Sequence, residues 1–289
     1  MPTIIEMGVA VQERIDAALL AAPSDAVALV DDRGPLRYGD LRELVAERAA
    51  GLDLGAPGIV VLQGPPSVDW VVTYLALLHD RHVPLLAGPN AGALVRTWSP
   101  LAAIEVVDGG AQVTHLGGPR PELHPDLALL LSTSGSTGSP KLVRLSHRNL
   151  VANARAIAEA LGLGPADRGI TSLPLQYCFG LSVLHSHLAV GASVAVTGAS
   201  VVDPCFAAAL RDHRVTNLAG VPHSFEMLEV AGPERLATGS LRLLCQAGGR
   251  LDAEARRRWR ERAASWGAEL AVMYGQTEAT ARMAVLPPA

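Results

Sequence analysis

The sequence predicts an α/β fold built on parallel sheets, and three observations support that prediction. Short runs rich in leucine and β-branched residues alternate along the chain with longer segments of helical periodicity. Strands that are separated by helices favour parallel pairing with right-handed crossovers. One run, residues 127–133 (LALLLST), is apolar on both faces, as expected for a central strand covered by helices.

The first third of the chain contains clear helix and strand signals. Residues 38–52 place apolar side chains at helical spacing, and residues 67–80 form a second apolar helix pattern with Ser67 as its N-cap. Strands are predicted at 26–30, 58–64 and 82–88. Residues 87–125 are rich in glycine and proline and give the weakest pattern of the chain.

The alternation continues in the second half. Ser146 is the expected N-cap of a helix over 146–161, which follows a short strand over 141–146. Further strands are predicted at 169–173, 192–198, 215–220, 241–249 and 268–275. Further helices are predicted near 206–211, 225–230 and 253–265. The last helix carries five arginines and places Trp259 on its inner side, which indicates a solvated face, with an anion-binding or partner surface as the alternative.

Composition excludes several classes of protein. The chain has 289 residues and a net charge of −4, which argues against a nucleic-acid binder that relies on bulk charge. Cys178, Cys205 and Cys245 form no CxxC pair, so a disulfide framework or zinc site is disfavoured and a reducing cytoplasm is expected. The apolar run at 70–78 is far shorter than the roughly 20 residues of a membrane helix, so no membrane span is predicted.

Histidine spacing also raises the question of a metal site. His185 and His187 form an HxH pair and His79 and His82 an HxxH pair, but no cysteine or carboxylate stands at matching spacing. A metal site there is therefore disfavoured. His187 lies in an apolar helix pattern, which predicts a place in the core or in a pocket wall.

Residues 133–141 (TSGSTGSPK) follow the apolar strand with small hydroxyl residues, glycines and a lysine. Glycines let backbone N–H groups approach an anion, hydroxyls donate further hydrogen bonds and lysine supplies charge, so the segment favours a phosphate-binding flap. A structural linker is the alternative. The segment matches neither the Walker A pattern, nor GxGxxG, nor GxSxG, and a short strand rather than a helix is predicted after it.

This segment closely resembles the signature loop of the AMP-forming adenylate-forming superfamily. That superfamily comprises acyl- and aryl-CoA synthetases, nonribosomal peptide adenylation domains, fatty acyl-AMP ligases and luciferases. Other motifs of the superfamily stand in the family's order: LRYGDL (36–41), YLALLHDRHVPLL (74–86), LPLQYCFGL (173–181), AGVPHSFEML (219–228), QAGGRLDAEARRRW (246–259) and MYGQTEAT (273–280). The resemblance covers the chain from about residue 25 to the end.

The resemblance implies the large N-terminal domain of an adenylate-forming enzyme, with two parallel-rich sheets between helices in an αβαβα arrangement. Its approximate subdomains would be residues 58–170 and residues 1–57 plus 171–289. The implied reaction is ATP-dependent activation of a carboxylic acid to acyl-AMP with release of pyrophosphate. Thioester formation with CoA or with the pantetheine of a carrier protein would follow, and ATP and Mg²⁺ are the implied cofactors.

The resemblance also implies the site residues. The β- and γ-phosphates of ATP would be held by Thr133, Ser134, Gly135, Ser136, Thr137, Gly138 and Lys141. Around the base would lie Gly248, Gly249, Gly275 and the stacking ring of Tyr274. The implied catalytic residues are Lys141, Thr277 at the α-phosphate, and Glu278 as ligand of Mg²⁺. The substrate pocket would include Tyr177, Gly180, Leu181, Val221 and His223, with a helix-capping role as the alternative for His223.

Three positions depart from the family pattern. Leu142 stands where glycine often follows the lysine, which predicts a stiffer end of the loop. Tyr177 stands where histidine is common, so the shape and pH response of the pocket should differ. Arg81 stands where glycine is usual, which makes the turn after that helix uncertain.

The chain stops eleven residues after Glu278. Family members continue with an acidic ribose-binding motif, a hinge and a small C-terminal domain that carries a catalytic lysine. The sequence therefore predicts a truncated N-terminal core, an incomplete enzyme, in preference to a split or degenerate protein. A remnant that acts as a nucleotide-binding or scaffold module is the alternative function. A P-loop kinase or NTPase, which would release ADP, is a third possibility.

Overall fold

The computed structural model describes residues 13–86, 91–107, 109–132 and 141–286, and helices alternate with strands throughout. In chain order the elements are α1 (Ile15–Leu19), β1 (Val27–Asp31), β2 (Gly34–Arg37), α2 (Tyr38–Leu52), β3 (Ile59–Gln63), α3 (Val68–His79), β4 (Val83–Leu86), α4 (Ala91–Trp98), β5 (Ala102–Val107), β6 (Gly110–His115), β7 (Leu127–Ser132), β8 (Leu142–Ser146), α5 (His147–Ala160), β9 (Arg168–Ile170), α6 (Cys178–Leu188), β10 (Ser193–Ala195), α7 (Pro204–Asp212), β11 (Asn217–Gly220), α8 (Pro222–Ala231), β12 (Leu243–Gln246), α9 (Ala253–Ser265), β13 (Glu269–Tyr274) and β14 (Ala284–Leu286). The predicted α/β fold is confirmed.

A six-stranded sheet in the order β6-β5-β3-β4-β7-β8 forms one layer. Its four inner strands are parallel, whereas β6 and β8 pair antiparallel at the two edges. The inner strands are apolar on both faces, so Val60, Val61 and Leu129 are all fully buried. The run at 127–133 therefore forms an inner strand of a covered sheet, as its composition predicts.

A second layer consists of two four-stranded sheets in the orders β2-β1-β10-β9 and β11-β12-β13-β14. They meet between β9 and β11, where the Thr216 amide donates to the Arg168 carbonyl at 2.9 Å. Most pairings are parallel, and the antiparallel strands β2 and β14 lie at the outer edges. The two layers agree with the predicted pair of parallel-rich sheets, while the division into subdomains of residues 58–170 and residues 1–57 plus 171–289 stays a prediction.

The hairpin of β5 and β6 lies in the region whose sequence pattern is weakest. The buried residues of β5, Ala102, Ile104 and Val106, alternate with less buried ones, and no residue of β6 is buried. An exposed edge strand of this composition resembles a loop in sequence. The helix α1 and the strand β2 are not predicted from the sequence either, because neither is longer than five residues and so short a segment gives little periodicity.

The predicted helix starts are confirmed by their hydrogen bonds. Ser67 Oγ accepts from the Trp70 amide at 3.1 Å, and Ser146 Oγ accepts from the Asn149 amide at 3.1 Å. At the start of α2, the Tyr38 hydroxyl donates to the Ala192 carbonyl at 2.8 Å and so ties this helix to the second layer.

Across the described residues, every helix is too short or too polar to cross a bilayer.

His185 and His187 occupy the core as neutral side chains. His185 Nε2 lies 3.0 Å from the Tyr74 hydroxyl, and burial lowers the pKa of His185 to about 3. His187 Nδ1 lies 2.8 Å from the Val183 carbonyl and its Nε2 lies 3.1 Å from Asn217 Nδ2. Burial likewise lowers the pKa of His187 to about 4. Both rings therefore act as hydrogen-bonded packing residues of α6.

The arginine-rich helix α9 covers the second layer with its apolar side. Trp259 is 1% exposed and packs edge-on against Phe225, with ring centroids 5.0 Å apart. On the polar side, Arg258 and Arg262 both reach Glu229 of α8, at 3.7 and 2.7 Å. The arginines thus join two surface helices, in line with the predicted solvated face.

The turn after α3 has a left-handed residue that is not glycine, because Arg81 has a φ of +63°. The Arg81 amide donates to the Leu78 carbonyl at 3.0 Å and the His82 amide to the Leu77 carbonyl at 2.8 Å. This pair of bonds is the Schellman helix ending, which favours glycine at the left-handed position. The turn after α3 is therefore a regular helix ending, with an arginine in a strained conformation at its left-handed position.

We expect Arg81→Gly to raise the free energy of unfolding by about 0.5–1 kcal/mol, because glycine adopts a positive φ without strain. Urea denaturation measures the change. Arg257→Gly, in the middle of α9, is the matched control and should lower stability by about 1 kcal/mol. Destabilisation by both substitutions would mean that the contacts of the Arg81 side chain stabilise the fold by more than its strained backbone destabilises it.

Candidate active site

The glycine-rich segment contributes only its last residue to the described structure. Thr133, Ser134, Gly135, Ser136, Thr137 and Gly138 lie outside the described residues. Lys141 is exposed and stands directly before β8, so its ammonium group is at the surface beside the first layer. Leu142 is the first residue of β8 and pairs with Ser132 of β7, so the strand begins immediately after the lysine.

The other candidate residues gather at one edge of the second layer. The strands β11, β12 and β13 are parallel, so their carboxyl ends lie side by side. Val221 directly follows β11, Gly248 follows β12, and Gly275 follows β13. Ligands of open α/β sheets bind at the carboxyl ends of the strands, so this edge is the candidate active site.

Tyr177 closes one side of this edge. It precedes α6, and its hydroxyl lies so near Gly248 that a Cβ on that glycine would come within 2.5 Å of it and 2.9 Å of Val221 Cγ1. Gly248 has a φ of +76°, so both the backbone and the space favour glycine. Gly249 is less crowded, but its Cβ would still come within 3.0 Å of Pro222. The structure thus brings Tyr177, Val221 and the two glycines together.

The turn after β13 carries Thr277 and Glu278. Thr277 is part-buried, and its hydroxyl lies 3.3 Å from Cys178 Sγ at the start of α6. Glu278 is exposed and has no hydrogen bond or ion pair with any described residue. Tyr274 is 63% exposed, so its ring is open to a planar partner. These three side chains present a hydroxyl, a free carboxylate and an aromatic face on one short segment.

Gly275 fixes the path of that turn. A Cβ at Gly275 would lie 1.6 Å from the Ala281 carbonyl oxygen, so no other residue fits without moving the backbone. The Met283 amide donates to the Tyr274 carbonyl at 2.9 Å, and the Ala281 amide donates to the Gln276 carbonyl at 3.1 Å. These two hydrogen bonds hold the segment that contains Thr277 and Glu278 in a closed turn.

Three predicted pocket residues have neutral packing contacts or surface positions in the structure. Gly180 faces the Pro174 carbonyl, where a Cβ would come within 2.3 Å, and Leu181 is 2% exposed. His223 is exposed, with Nδ1 3.3 Å from Glu226 Oε2. The cap of α8 comes from Ser224, whose hydroxyl accepts from the Val221 amide at 3.3 Å. Their part in binding stays a prediction.

The site region also contains Cys178 and Arg282, and the sequence interpretation missed Arg282. Cys178 contacts Thr277, and burial raises the pKa of its thiol, so the group stays protonated at neutral pH. Arg282 is 6% exposed and bonds to Ser182 of α6. An arginine in the otherwise apolar and small-residue stretch 279–286 is the one signal that could have indicated its burial.

Because Tyr177 contacts Gly248, we expect substitutions at these two positions to have coupled effects on the free energy of unfolding. Gly248→Ala should lower the free energy of unfolding by about 2 kcal/mol, because it adds a left-handed alanine and a clash with the Tyr177 hydroxyl. Tyr177→Phe removes that hydroxyl and should recover about 1 kcal/mol in the double variant. Urea denaturation of the four proteins measures this coupling.

Gly162→Ala is the matched control, because Gly162 also has a positive φ, +57°, but nothing within 4 Å of its Cβ position. It isolates the backbone strain and should not respond to Tyr177→Phe. Equal losses at Gly162 and Gly248, with no recovery, would show that Tyr177 moves freely away from the glycine.

Known proteins resemble this chain in both sequence and fold. The family model described as AMP-binding enzyme matches residues 97–289. Phenyloxazoline synthase MbtB of Mycobacterium sp. (strain MCS) is 29% identical, over 91% of this chain and 24% of that protein. Pyochelin synthase PchD of Pseudomonas aeruginosa (strain UCBPP-PA14) is 30% identical, over 84% of this chain and 52% of that protein. The chain thus spans about a quarter to about half of the length of these relatives.

A solved structure shows the same architecture. The anthranilate CoA ligase AuaEII in complex with anthranoyl-AMP superposes with a TM-score of 0.80, over 96% of this chain and 61% of that chain. Its sequence identity of 18% means that the likeness concerns the fold. Because the family model matches well over half of the chain, this protein belongs to the family of AMP-binding enzymes and has the fold of the N-terminal core of adenylate-forming enzymes.

Proposed function

We propose that this chain activates a carboxylic acid to an acyl-adenylate at the expense of ATP, with release of pyrophosphate. The observation that supports this most is the grouping of Tyr177, Gly248, Tyr274, Thr277 and Glu278 at the carboxyl edge of β11–β13. The same edge provides a glycine-lined surface, an exposed aromatic ring and a carboxylate that has no partner among the described residues. This is the set of groups that a planar base and a metal-bound phosphate chain require.

The roles that we propose follow the chemistry of each group. Tyr274 would stack on the base beside Gly248, Gly249 and Gly275, and the Thr277 hydroxyl would donate to the α-phosphate. Lys141, with Thr133, Ser134, Gly135, Ser136, Thr137 and Gly138, would hold the β- and γ-phosphates. Glu278 would hold Mg²⁺, a hard cation that prefers oxygen ligands and neutralises phosphate charge when bound. Its exposed carboxylate, free of described partners, fits that role.

The reaction needs alignment and charge neutralisation more than proton transfer. An oxygen of the acid's carboxylate attacks the α-phosphorus, the bond to pyrophosphate breaks, and the carboxylate is already ionised at neutral pH. Positioning and electrostatic stabilisation therefore carry the catalysis. This agrees with a site that combines hydroxyl, lysine and carboxylate groups around the phosphates.

We further propose that the full-length protein passes the acyl group to a thiol, either of CoA or of carrier-protein pantetheine. The similarity to two synthases and to a CoA ligase supports a thioester-forming step without choosing the acceptor. The cytoplasm stays the predicted location.

Exchange of labelled pyrophosphate into ATP, measured across a panel of carboxylic acids, tests the proposed reaction. We expect labelled ATP to form in a reaction that depends on both the acid and Mg²⁺, and AMP to be the nucleotide released when the acyl-AMP is hydrolysed. ADP as product would indicate a phosphotransferase instead. Nucleotide binding without exchange would support a nucleotide-binding scaffold, and the lack of ATP binding by the folded chain would contradict the site assignment.

A further inference from the structure

Arg282 is a buried cation without a carboxylate partner. Its side chain is 6% exposed, and no Asp or Glu oxygen of the described residues lies within ion-pair distance of its guanidinium. The Arg282 Nε donates to Ser182 Oγ at 3.0 Å, and Nη2 donates to the Ser182 carbonyl at 2.9 Å and to Ser186 Oγ at 3.1 Å. The guanidinium carbon lies 5.5 Å from the centre of the Phe179 ring. All of these partners are neutral.

One end of the guanidinium is poorly satisfied. Among the described residues, the two N–H groups of Nη1 have only Met273 Sδ as a partner, at 3.9 Å, and a thioether is a weak acceptor. Burial lowers the pKa of Arg282 to about 10, so the group remains charged at neutral pH. A buried charge that is not paired is costly, and the chain keeps it beside its candidate active site.

The position of Arg282 relates it to the proposed chemistry. Thr277, which we place at the α-phosphate, contacts Cys178 at the start of α6, and Arg282 contacts Ser182 four residues further along that helix. Four helical residues correspond to about 6 Å. Thr277 and the Arg282 guanidinium therefore contact α6 about one turn apart, so Arg282 lies beside the helix turn that borders the proposed α-phosphate site.

We propose that the acid activated here carries a second carboxylate on a short aliphatic chain, and that Arg282 Nη1 binds this carboxylate. The inference rests on the proposed function and specifies its substrate class. An anion supplies the missing counter-charge and a strong acceptor for Nη1. Met273 is the neighbour that must make room, and methionine changes its conformation readily. The tight surroundings of Phe179, Ser182 and Met273 limit the acid to a short one.

A pair of unreactive intermediate analogues tests the proposal on the whole chain. Glutaryl-sulfamoyl-adenosine carries the second carboxylate, and its glutaramoyl counterpart replaces that carboxylate with a neutral amide of the same shape. Calorimetry should give a roughly 10- to 100-fold lower Kd for the glutaryl compound, as expected for a charge-assisted hydrogen bond. Succinyl and succinamoyl analogues test the length in the same way.

Variants separate recognition from folding. Arg282→Gln should remove the preference for the carboxylate while binding the amide analogue within about threefold of the wild type, and Arg282→Lys should retain part of the preference. Arg48→Gln is the matched control, since Arg48 bonds to Thr73 and Asp69 on α3, and should keep the full preference. If Arg282→Gln does not fold, the comparison of the carboxylate and amide analogues on the wild type and on Arg282→Lys still decides whether Arg282 binds the second carboxylate.

The outcomes distinguish this inference from the proposed function. Equal affinity of the wild type for the carboxylate and amide analogues would overturn the role of Arg282 and leave acyl-adenylate formation standing. Binding of neither analogue, together with no binding of AMP or ATP, would overturn the proposed function itself.

Discussion

Replacing Glu278 with alanine should reduce acid-dependent pyrophosphate exchange roughly 100- to 1000-fold, the loss expected when a metal that stabilises phosphate charge is no longer held. Calorimetry should show a parallel loss of Mg²⁺-dependent ATP binding. Stability should change little, because the Glu278 side chain is exposed and has no hydrogen bond or ion pair with described residues. Exposed residues of this kind usually shift the free energy of unfolding by less than about 0.5 kcal/mol.

Glu269→Ala supplies the control for this prediction. Glu269 begins β13, the strand whose far end leads to Glu278, and it is also exposed. Its removal should leave exchange and the Mg²⁺ requirement unchanged. A marked fall in Tm for Glu278→Ala without ligands would identify Glu278 as structural, and unchanged exchange would remove it from the metal site.

The fold was predictable where local signals are strong. The helix α2 has the bounds that the sequence predicts, because its apolar residues recur at helical spacing from its first turn to its last. Ser67 and Ser146 identify helix starts, since a cap is a contact between residues three apart. The strands β5 and β6 depend on pairing with each other and with β3, so tertiary contacts rather than local preference define them.

The candidate site was predictable in residue type but not in geometry. The motif resemblance indicates Tyr177, Gly248 and Thr277 individually, yet their contacts join residues far apart in the chain. The hydroxyl of Tyr177 meets Gly248 only because α6 begins above the carboxyl end of β12. The burial of Arg282 was not predictable for a similar reason, since it depends on how the turn after β13 folds back onto α6. Such contacts follow from the packed sheet, and no local pattern encodes them.

The largest expected loss of stability comes from Asp167→Ala, which should lower the free energy of unfolding by about 3–4 kcal/mol. The Asp167 carboxylate accepts hydrogen bonds from Arg242 Nε at 2.6 Å, from Arg242 Nη2 at 2.7 Å and from the Thr216 hydroxyl at 2.9 Å. It also accepts from the Asn217 side chain at 3.2 Å and from the Gly164 amide at 2.9 Å. Removing it leaves several part-buried donors unsatisfied where β9, β11 and β12 begin.

Asp212→Ala is the control for charge alone, because Asp212 pairs with Arg211 at 3.3 Å in an exposed position. Its loss should cost less than about 0.5 kcal/mol. Urea denaturation of both variants at neutral pH measures the difference. Similar small losses would mean that water or neighbouring groups replace the bonds of Asp167.

The pH dependence of the Asp167 variant separates the carboxylate from its packing. Burial alone would raise the pKa of Asp167, but hydrogen bonds from Arg242, Gly164 and Thr216 outweigh it and lower the pKa from 3.8 to about 2. The carboxylate therefore stabilises the fold fully above pH 3.8, and this contribution, about 2 kcal/mol, is lost as the pH falls through 2. The stability gap between wild type and Asp167→Ala should accordingly narrow by that amount between pH 5 and about 2. A gap that stays constant over this range would assign the loss to packing and neutral hydrogen bonds, because the other carboxylates that titrate in this window are common to both proteins.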